Sequence, residues 1–281
     1  MKSKNFSYNK ILVLFFIVVV LVLMTGCGEP IVSIFSADPS TINEGESSTL
    51  TWDVSGATTV TIEPEVGTVD SSGSTTVSPV VTTVYTLIAT NSAGSVTATV
   101  TVTVINTITI QPDSIDGKDV IVDYTNPTVN YGNVVFLVVS SNSEIYRSYL
   151  QFDLSDVPQN AVIVSADLGL CYVSSYILTS YFPVGLYEVT ESWEDDTITW
   201  ENQPASSTEA EDIQDISTIS TGDFVYWEID DLVEGWHDGS IANYGMVLRD
   251  TDESSADGII WFWSSDYGSD HPKLIIDYYI P

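Results

Sequence analysis

Flat aromatic side chains near amides and carboxylates are the chemistry that this sequence offers most often. The chain has 7 Trp and 15 Tyr, and all Trp except Trp52 follow residue 190. Such rings stack on the C–H faces of sugars, and amides or carboxylates beside them hydrogen-bond sugar hydroxyls. We therefore expect a carbohydrate-binding surface. Its predicted residues are Trp200, Asn202, Trp261, Trp263 and Tyr267.

Two alternatives stay open for these aromatic residues. Trp261 and Trp263 are two positions apart, so on a strand they share one face and Phe262 takes the other. If Phe262 faces the core, the Trp pair forms an exposed platform, and otherwise the pair packs inside. Trp193 and Trp200 flank one loop. The alternative to sugar binding is that their rings hold this loop in place.

Carboxylates suggest calcium as the candidate cofactor, because calcium prefers hard oxygen ligands. Asp113, Asp116 and Asp119 surround Gly117 and form the predicted metal site. The spacing of a complete EF-hand is missing, so a solvated acidic turn is the alternative. The group of Asp250, Asp252 and Glu253 presents the same choice.

Catalytic patterns are missing from the sequence. Only His237 and His271 are available, and neither belongs to an HExxH or Cys-rich zinc motif. There is no GxSxG elbow for a nucleophilic serine and no glycine-rich phosphate loop. With 39 Asp and Glu, no carboxylate pair is singled out for glycoside hydrolysis. The sequence predicts that the protein is not an enzyme.

The charge balance excludes one class of partner. The formal net charge is −32, and after residue 27 the only cations are Lys118, Arg147, Arg249 and Lys273. Four scattered cations cannot neutralise a phosphate backbone. We expect no nucleic-acid partner.

The amino terminus has the pattern of an export signal. Three Lys precede the apolar run 11–24, which is short for a spanning helix, and the run ends at Thr25-Gly26-Cys27. Small residues before a Cys resemble the bacterial lipobox. We expect residues 1–26 to be a lipoprotein signal peptide and Cys27 to carry a lipid that holds the exported chain on the outer cell surface. An uncleaved anchor and plain secretion are the alternatives.

Composition and periodicity predict an all-β chain with two domains. Residues 27–106 are rich in Thr, Ser and Val, and several segments alternate apolar with polar residues, as half-buried strands do. The strand number fits an immunoglobulin-like sandwich with Trp52 in its core. Residues 107–281 contain eight or more candidate strands, which predicts a larger jelly-roll sandwich. A short helix begins with an Asp N-cap near residue 230, and 206–221 is predicted to be a loop.

Motifs in both parts resemble known families. The first part resembles immunoglobulin-like repeats of bacterial surface proteins through DPSTINEGESSTLTW (38–52), TVYTL (83–87) and NSAG (91–94). The second part resembles the DNRLRE domain, also classed as carbohydrate-binding module family ninety-six. Its motifs are NYG (130–132), RSYLQFDL (147–154), SADLGL (165–170), SWE (192–194), TITWENQP (197–204), NYGMVLR (243–249), FWSSD (262–266) and PKL (272–274).

This resemblance implies a β-sandwich of the kind found in secreted and surface proteins. Some relatives bind polysaccharides such as alginate. Where relatives often carry a basic residue and Glu near the last strand, this chain has Ser265 and Asp266. Recognition of an anionic uronate polymer would then need calcium as a bridge. The predicted function is non-catalytic polysaccharide binding, with the first domain as a spacer. The alternatives are an adhesive surface protein that contacts other proteins and a polysaccharide-degrading enzyme.

Overall fold

The structure is a computed structural model that describes residues 28–141, 144–177, 181–254 and 258–281. Cys27 and the predicted signal peptide lie outside the described residues. Strands dominate the described chain, which contains one short helix. The protein is therefore all-β, as predicted. No helix among the described residues is long and apolar enough to cross a membrane.

Two compact units make up the chain, with the division between Ile105 and Asn106. The first unit contains two sheets, ordered β1-β3-β6 and β2-β8-β7-β4-β5. Its strands are β1 (Ile31–Asp38), β2 (Thr41–Asn43), β3 (Ser48–Ser55), β4 (Thr59–Glu63), β5 (Gly67–Val69), β6 (Ser72–Val77), β7 (Thr83–Asn91) and β8 (Gly94–Ile110), whose last residues belong to the second unit.

The core of the first unit follows from the alternation in its strands. In β3, buried and exposed residues alternate over all eight positions, because successive side chains point to opposite faces of a sheet. Trp52 lies in this core, as predicted, and its indole N–H donates a hydrogen bond of 2.9 Å to the Asp70 carbonyl. Leu50, Leu87 and Val102 are fully buried in the same core.

The second unit is a larger sandwich. Its elements are β9 (Lys118–Asp123), β10 (Phe136–Ser140), β11 (Tyr146–Gln151), β12 (Val162–Ile177), β13 (Pro183–Glu188), β14 (Asp212–Asp215), β15 (Phe224–Glu228), helix α1 (Asp230–Asp238), β16 (Met246–Asp250), β17 (Gly258–Trp263) and β18 (Lys273–Tyr279). One antiparallel sheet has the order β9-β11-β16-β13-β14.

The long strand β12 organises the opposite sheet. The first half of β12 pairs with β15 and β18, and its second half pairs with β17, which pairs with β10. Side chains from both sheets form one large core around Leu168, Trp227 and Phe262. Cys171 is buried in β12 as a free thiol.

Two local predictions were wrong. Strand β14 lies inside 206–221, which the sequence placed in a loop. Helix α1 has Ile229 at its N-cap and no side-chain capping bond. The carboxylate of Asp230 instead accepts a 2.6 Å hydrogen bond from the backbone N–H of Ala166 on β12, so this side chain ties the helix to the sheet.

The five-stranded sheet is covered on both faces. Four consecutive residues of β13 and five of β9 are buried, a pattern typical of strands with two dry faces. The inner face joins the large core. The outer face packs under Trp193 and Ile198, which belong to the connection between β13 and β14. This connection therefore covers the outer face at Val120, Tyr149, Tyr187 and Val247, while β14 keeps exposed residues.

Candidate functional site

The predicted site residues lie in or beside loops that are bonded to one another. The side-chain amide of Asn130 donates to the carbonyls of Asp195 and Ile198, both at 2.7 Å. The backbone N–H of Ser265 donates to Asp119 at 2.8 Å. We call the segments 111–119, 124–135, 190–205 and 264–272 the loop cluster. These bonds fix the relative positions of its aromatic and acidic side chains.

Trp263 is the middle ring of an aromatic stack. Its ring centroid lies 3.4 Å from that of Tyr267 and 4.9 Å from that of Phe136, and both pairs are close to parallel. Two rings cannot stack at these distances on one face of the same indole without overlapping, so they cover opposite faces. Phe136 is the cross-strand partner of Trp263, and Tyr267 comes from the loop that follows β17.

The stack reduces the aromatic surface that the predicted Trp261–Trp263 platform exposes to a ligand. Phe262 is fully buried, which is the condition set for an exposed Trp pair, yet Trp261 and Trp263 are only partly exposed. Trp261 packs against the large core. Because both faces of Trp263 are occupied by other rings, the stack presents its end, Tyr267, and ring edges to solvent.

Trp200 belongs to a second aromatic group. The guanidinium carbon of Arg147 lies 4.7 Å from the Trp200 ring centroid, and Tyr124 makes an edge contact at 5.3 Å. Tyr124 is 54% exposed. Trp200 and Tyr124 thus form a partly exposed aromatic pair beside a cation. The contact with Arg147 also supports the alternative that Trp200 holds its loop.

Arg147 is itself fixed by a bidentate ion pair. Its Nε and Nη2 donate to the two carboxylate oxygens of Glu253 at 2.6 and 2.7 Å. Its Nη1 donates at 2.9 Å to Gln203, which also accepts from the Tyr149 hydroxyl. Burial lowers the pKa of Arg147, but the bonds and charge of Glu253 outweigh it and the net pKa is raised. The guanidinium stays charged and committed to protein partners.

Asn202 is exposed, but its side chain is used within its own loop. Its Oδ1 accepts hydrogen bonds from the backbone N–H and hydroxyl of Thr199, and its Nδ2 donates to the Thr197 carbonyl. The residue also lines a small cavity of about 220 Å³ between Trp193 and Ile198. Asn202 therefore shapes the edge of this cavity.

The three predicted metal ligands are not brought together. Asp113 and Asp116 are exposed in a turn closed by a 2.7 Å bond from Gly117 N to the Asp113 carbonyl, whereas Asp119 is 8% exposed on β9. Across 28–141, 144–177, 181–254 and 258–281, no group of three or more His, Cys, Asp and Glu is placed to hold a metal ion. Calcium binding stays a prediction.

Asp119 instead lies near two carboxylates that the sequence did not associate with it. Its pKa is raised to about 6 in total: burial raises the pKa most, the hydrogen bonds from Ser265 lower it, and the charges of Asp266 and Asp195 raise it. The pKa of Asp266 is also raised, first by burial and then by Asp195. These shifts mark a region of the loop cluster where negative charge is unfavourable.

All four cations after residue 27 lie over aromatic rings. Lys118 covers Trp193 at 4.6 Å, Arg249 covers Tyr187 at 3.9 Å, and Lys273 covers Phe224 at 3.8 Å; Arg147 is described above. Cations on ring faces gain electrostatic attraction to the quadrupole. The positive charge of this unit is thus distributed among internal contacts, and no patch of several cations forms.

Sequence reasoning missed Tyr124 and Phe136, and it left Gln203 out of the predicted site. Gln203 stands in the quoted TITWENQP motif, so its position next to Trp200 was available as a signal. Phe136 and Tyr267 meet Trp263 only through strand pairing and a returning loop, which no local pattern reveals.

The second unit is an all-β sandwich with aromatic rings and amides gathered in its loops. Residues 111–278 match the model of Carbohydrate-binding module family 96. The chain belongs to this family. No curated protein matches it.

Proposed function

We propose that the protein binds polysaccharide without cleaving it, through the loop cluster of its second unit. The observation that carries this proposal is the match to Carbohydrate-binding module family 96 over residues 111–278. The partly exposed rings of Tyr124, Trp200 and Tyr267 support it, because each can stack on a sugar face.

The charge distribution favours a neutral polymer. Each Lys and Arg after residue 27 is engaged with an aromatic ring, and Arg147 is also neutralised by Glu253. An anionic polymer would approach a strongly negative chain without a free cationic patch. A divalent cation is the group that would reverse this preference, and calcium is therefore included in the test.

Affinity electrophoresis of the full chain in a sugar-free detergent tests this function. Gels contain neutral or uronate polysaccharides, with and without calcium. We expect retardation by at least one neutral polymer in either condition. Retardation by uronates alone and only with calcium would replace the neutral-polymer proposal, and no retardation by any polymer would favour the adhesive alternative, in which the partner is a protein.

We further propose that a lipid on Cys27 anchors the chain at the outer cell surface and that the first unit is an immunoglobulin-like spacer. The lipobox-like sequence before Cys27 and the motifs in 38–94 support this. Labelled palmitate should enter the wild-type chain and be lost in Cys27→Ser. Label retained in Cys27→Ser, or protein found in the cytosol, would contradict the anchor.

A further inference from the structure

The outer face of strand β15 carries aromatic and charged side chains that do not belong to the loop cluster. Val225 and Trp227 point into the large core, so the alternate residues of the strand point away from it. Strands β12 and β18 contribute to the same face, because Gly169 of β12 is the cross-strand partner of both Tyr226 and Lys273. We call this group of side chains the β15 surface. Its members are Asp167, Phe224, Tyr226, Glu228 and Lys273.

Gly169 leaves room for an aromatic ring to lie against the sheet. A Cβ at this position would be 2.8 Å from Cε1 of Tyr226 and 3.0 Å from Cε of Lys273, so both side chains lean over the backbone of β12. Tyr226 is 40% exposed. Its ring centroid lies 6.2 Å from that of Phe224, with an angle of 28° between the ring planes. The sheet therefore supports a nearly parallel pair of rings that a ligand can reach from solvent.

Lys273 brings hydrogen-bond donors to these rings. Its Nζ lies 3.8 Å from the ring centroid of Phe224 and 5.3 Å from that of Tyr226. In the described parts of the chain this ammonium has neither an ion pair nor a hydrogen bond, whereas Lys118 and Arg147 both pair with Glu side chains. An ammonium has three N–H donors. The rings hold the charge in place, and its donors stay available to a ligand.

Two carboxylates face each other beside the rings. Asp167 and Glu228 are direct cross-strand partners, and like charges in this position destabilise a sheet. Burial raises the pKa of Asp167, and the charges of Asp230 and Glu228 raise it further. Ionised carboxylates only accept hydrogen bonds, so hydroxyl donors of a ligand are suitable partners for this pair.

We propose that the β15 surface is a second sugar-binding site, which takes a neutral unit of the polysaccharide. The sugar stacks on Tyr226, the Lys273 ammonium donates to a hydroxyl oxygen, and Asp167 and Glu228 accept from hydroxyl groups. Neighbouring positions on this face are about 5 Å apart across the strands and about 7 Å apart along a strand, so one or two sugar rings reach all of these groups. Because carboxylates outnumber the ammonium, the surface disfavours an anionic sugar. This inference rests on the proposed carbohydrate-binding function and adds a second site to it.

Affinity electrophoresis of the full chain in a sugar-free detergent tests the site, with laminarin, galactomannan or xyloglucan in the gel. For the polymer that retards the wild type most, we expect Tyr226→Ala to weaken the apparent affinity about three- to tenfold, since it removes the stacking ring. Tyr226→Phe keeps the ring and should bind as wild type does. Tyr176→Ala is the matched control, because Tyr176 is 64% exposed on β12 but lies outside the β15 surface. It should leave the affinity unchanged.

Glu228→Gln separates binding from folding. Removal of one of two facing charges should raise the midpoint of urea unfolding, while loss of a charged acceptor should weaken the polymer affinity at least about twofold. A purely structural role does not move these two quantities in opposite directions. An affinity loss that comes with a lower urea midpoint would therefore overturn the inference.

The same gels distinguish failure of this site from failure of the proposed function. If Tyr226→Ala and Glu228→Gln are retarded as strongly as wild type, the β15 surface is not a sugar site, and polysaccharide binding through the loop cluster stands. If none of the polymers retards the wild-type chain, the inference and the proposed function both fail.

Discussion

The sheets of the two units differ in what covers their outer faces. Strand β3 of the first unit exposes every second residue to water, whereas β13 of the second unit has four consecutive buried residues. The second unit covers that sheet with Trp193, Ile198 and the rest of the β13–β14 connection. A sheet with one face in water is the ordinary antiparallel arrangement, whereas the covered sheet of the second unit leaves its loops as the exposed candidates for recognition.

The largest expected effect comes from removing the cover. Trp193 is buried, and its indole N–H donates to the Tyr244 carbonyl at 2.8 Å. Trp193→Ala should destabilise the second unit by about 3–5 kcal/mol, the usual cost of truncating a buried aromatic. Urea unfolding measures the change. Thr51→Ala on the exposed face of β3 is the control and should stay within about 0.5 kcal/mol of wild type. Equal stabilities for the two variants would remove the distinction between the sheets.

Asp119 tests the electrostatics beneath the loop cluster. Its pKa is raised from 3.8 to about 6 in the folded chain, so its protonation stabilises the fold below about pH 4, and this contribution is lost as the pH rises through about 6. Asp119→Asn should be more stable than wild type by about 3 kcal/mol at pH 7, because the amide oxygen can still accept from Ser265. The difference should shrink to near zero below about pH 4.

Unfolding free energies at pH 4 and pH 7 provide that comparison. An Asp119→Asn variant that is less stable than wild type at pH 7 would contradict the account. Calcium could also raise the unfolding free energy of the wild-type chain at pH 7 and leave that of Asp119→Asn unchanged. This result would support the predicted metal role of the Asp119 carboxylate.

The ion pair of Arg147 should have a moderate effect. The side chains of Arg147 and Glu253 are 21% and 19% exposed, and Glu253→Gln leaves a largely buried guanidinium with weaker partners. We expect a loss of about 1–3 kcal/mol in unfolding free energy. Glu194→Gln is the control, since Glu194 pairs with Lys118 at 3.5 Å but is 70% exposed and should change stability by less than about 1 kcal/mol. Similar losses in both would argue against a special role for the buried pair.

The smallest effect is expected at the end of the aromatic stack. Tyr267→Ala removes one stacking face, which is worth about 0.5–1.5 kcal/mol, so polysaccharide affinity should fall up to about tenfold. Tyr267→Phe keeps the ring and should bind as wild type does. Affinity electrophoresis with the retarding polymer measures both. Full binding by Tyr267→Ala would place the sugar elsewhere in the loop cluster.

Periodicity predicted the strands well because alternation and β-branched residues act locally. The strictly alternating strand β3 and the Ile- and Tyr-rich strand β18 are of this kind. Strand β9 overlaps the predicted metal site, since Asp119 belongs to both. Strand β14 has only four residues and forms by pairing with β13, which is information from outside its own segment.

The candidate site was harder to predict, because its contacts connect distant parts of the chain. The sequence placed Asp119 with Asp113 and Asp116, but a strand begins at Lys118 and turns Asp119 toward Ser265. The alternation around Phe262 predicted that Phe262 and the Trp pair lie on opposite faces, but it left open which face turns inward; the structure buries Phe262. The alternation could not reveal that Phe136 and Tyr267 cover both faces of Trp263.

The most direct test of the account combines binding with polymer length. The full chain is incubated with a neutral polysaccharide that retards it in gels, and light scattering follows the molar mass of the polymer over time. We predict a stable complex and an unchanged polymer mass. A falling polymer mass, or the absence of a complex with any polysaccharide, would contradict the conclusion that this protein binds sugar polymers without breaking them.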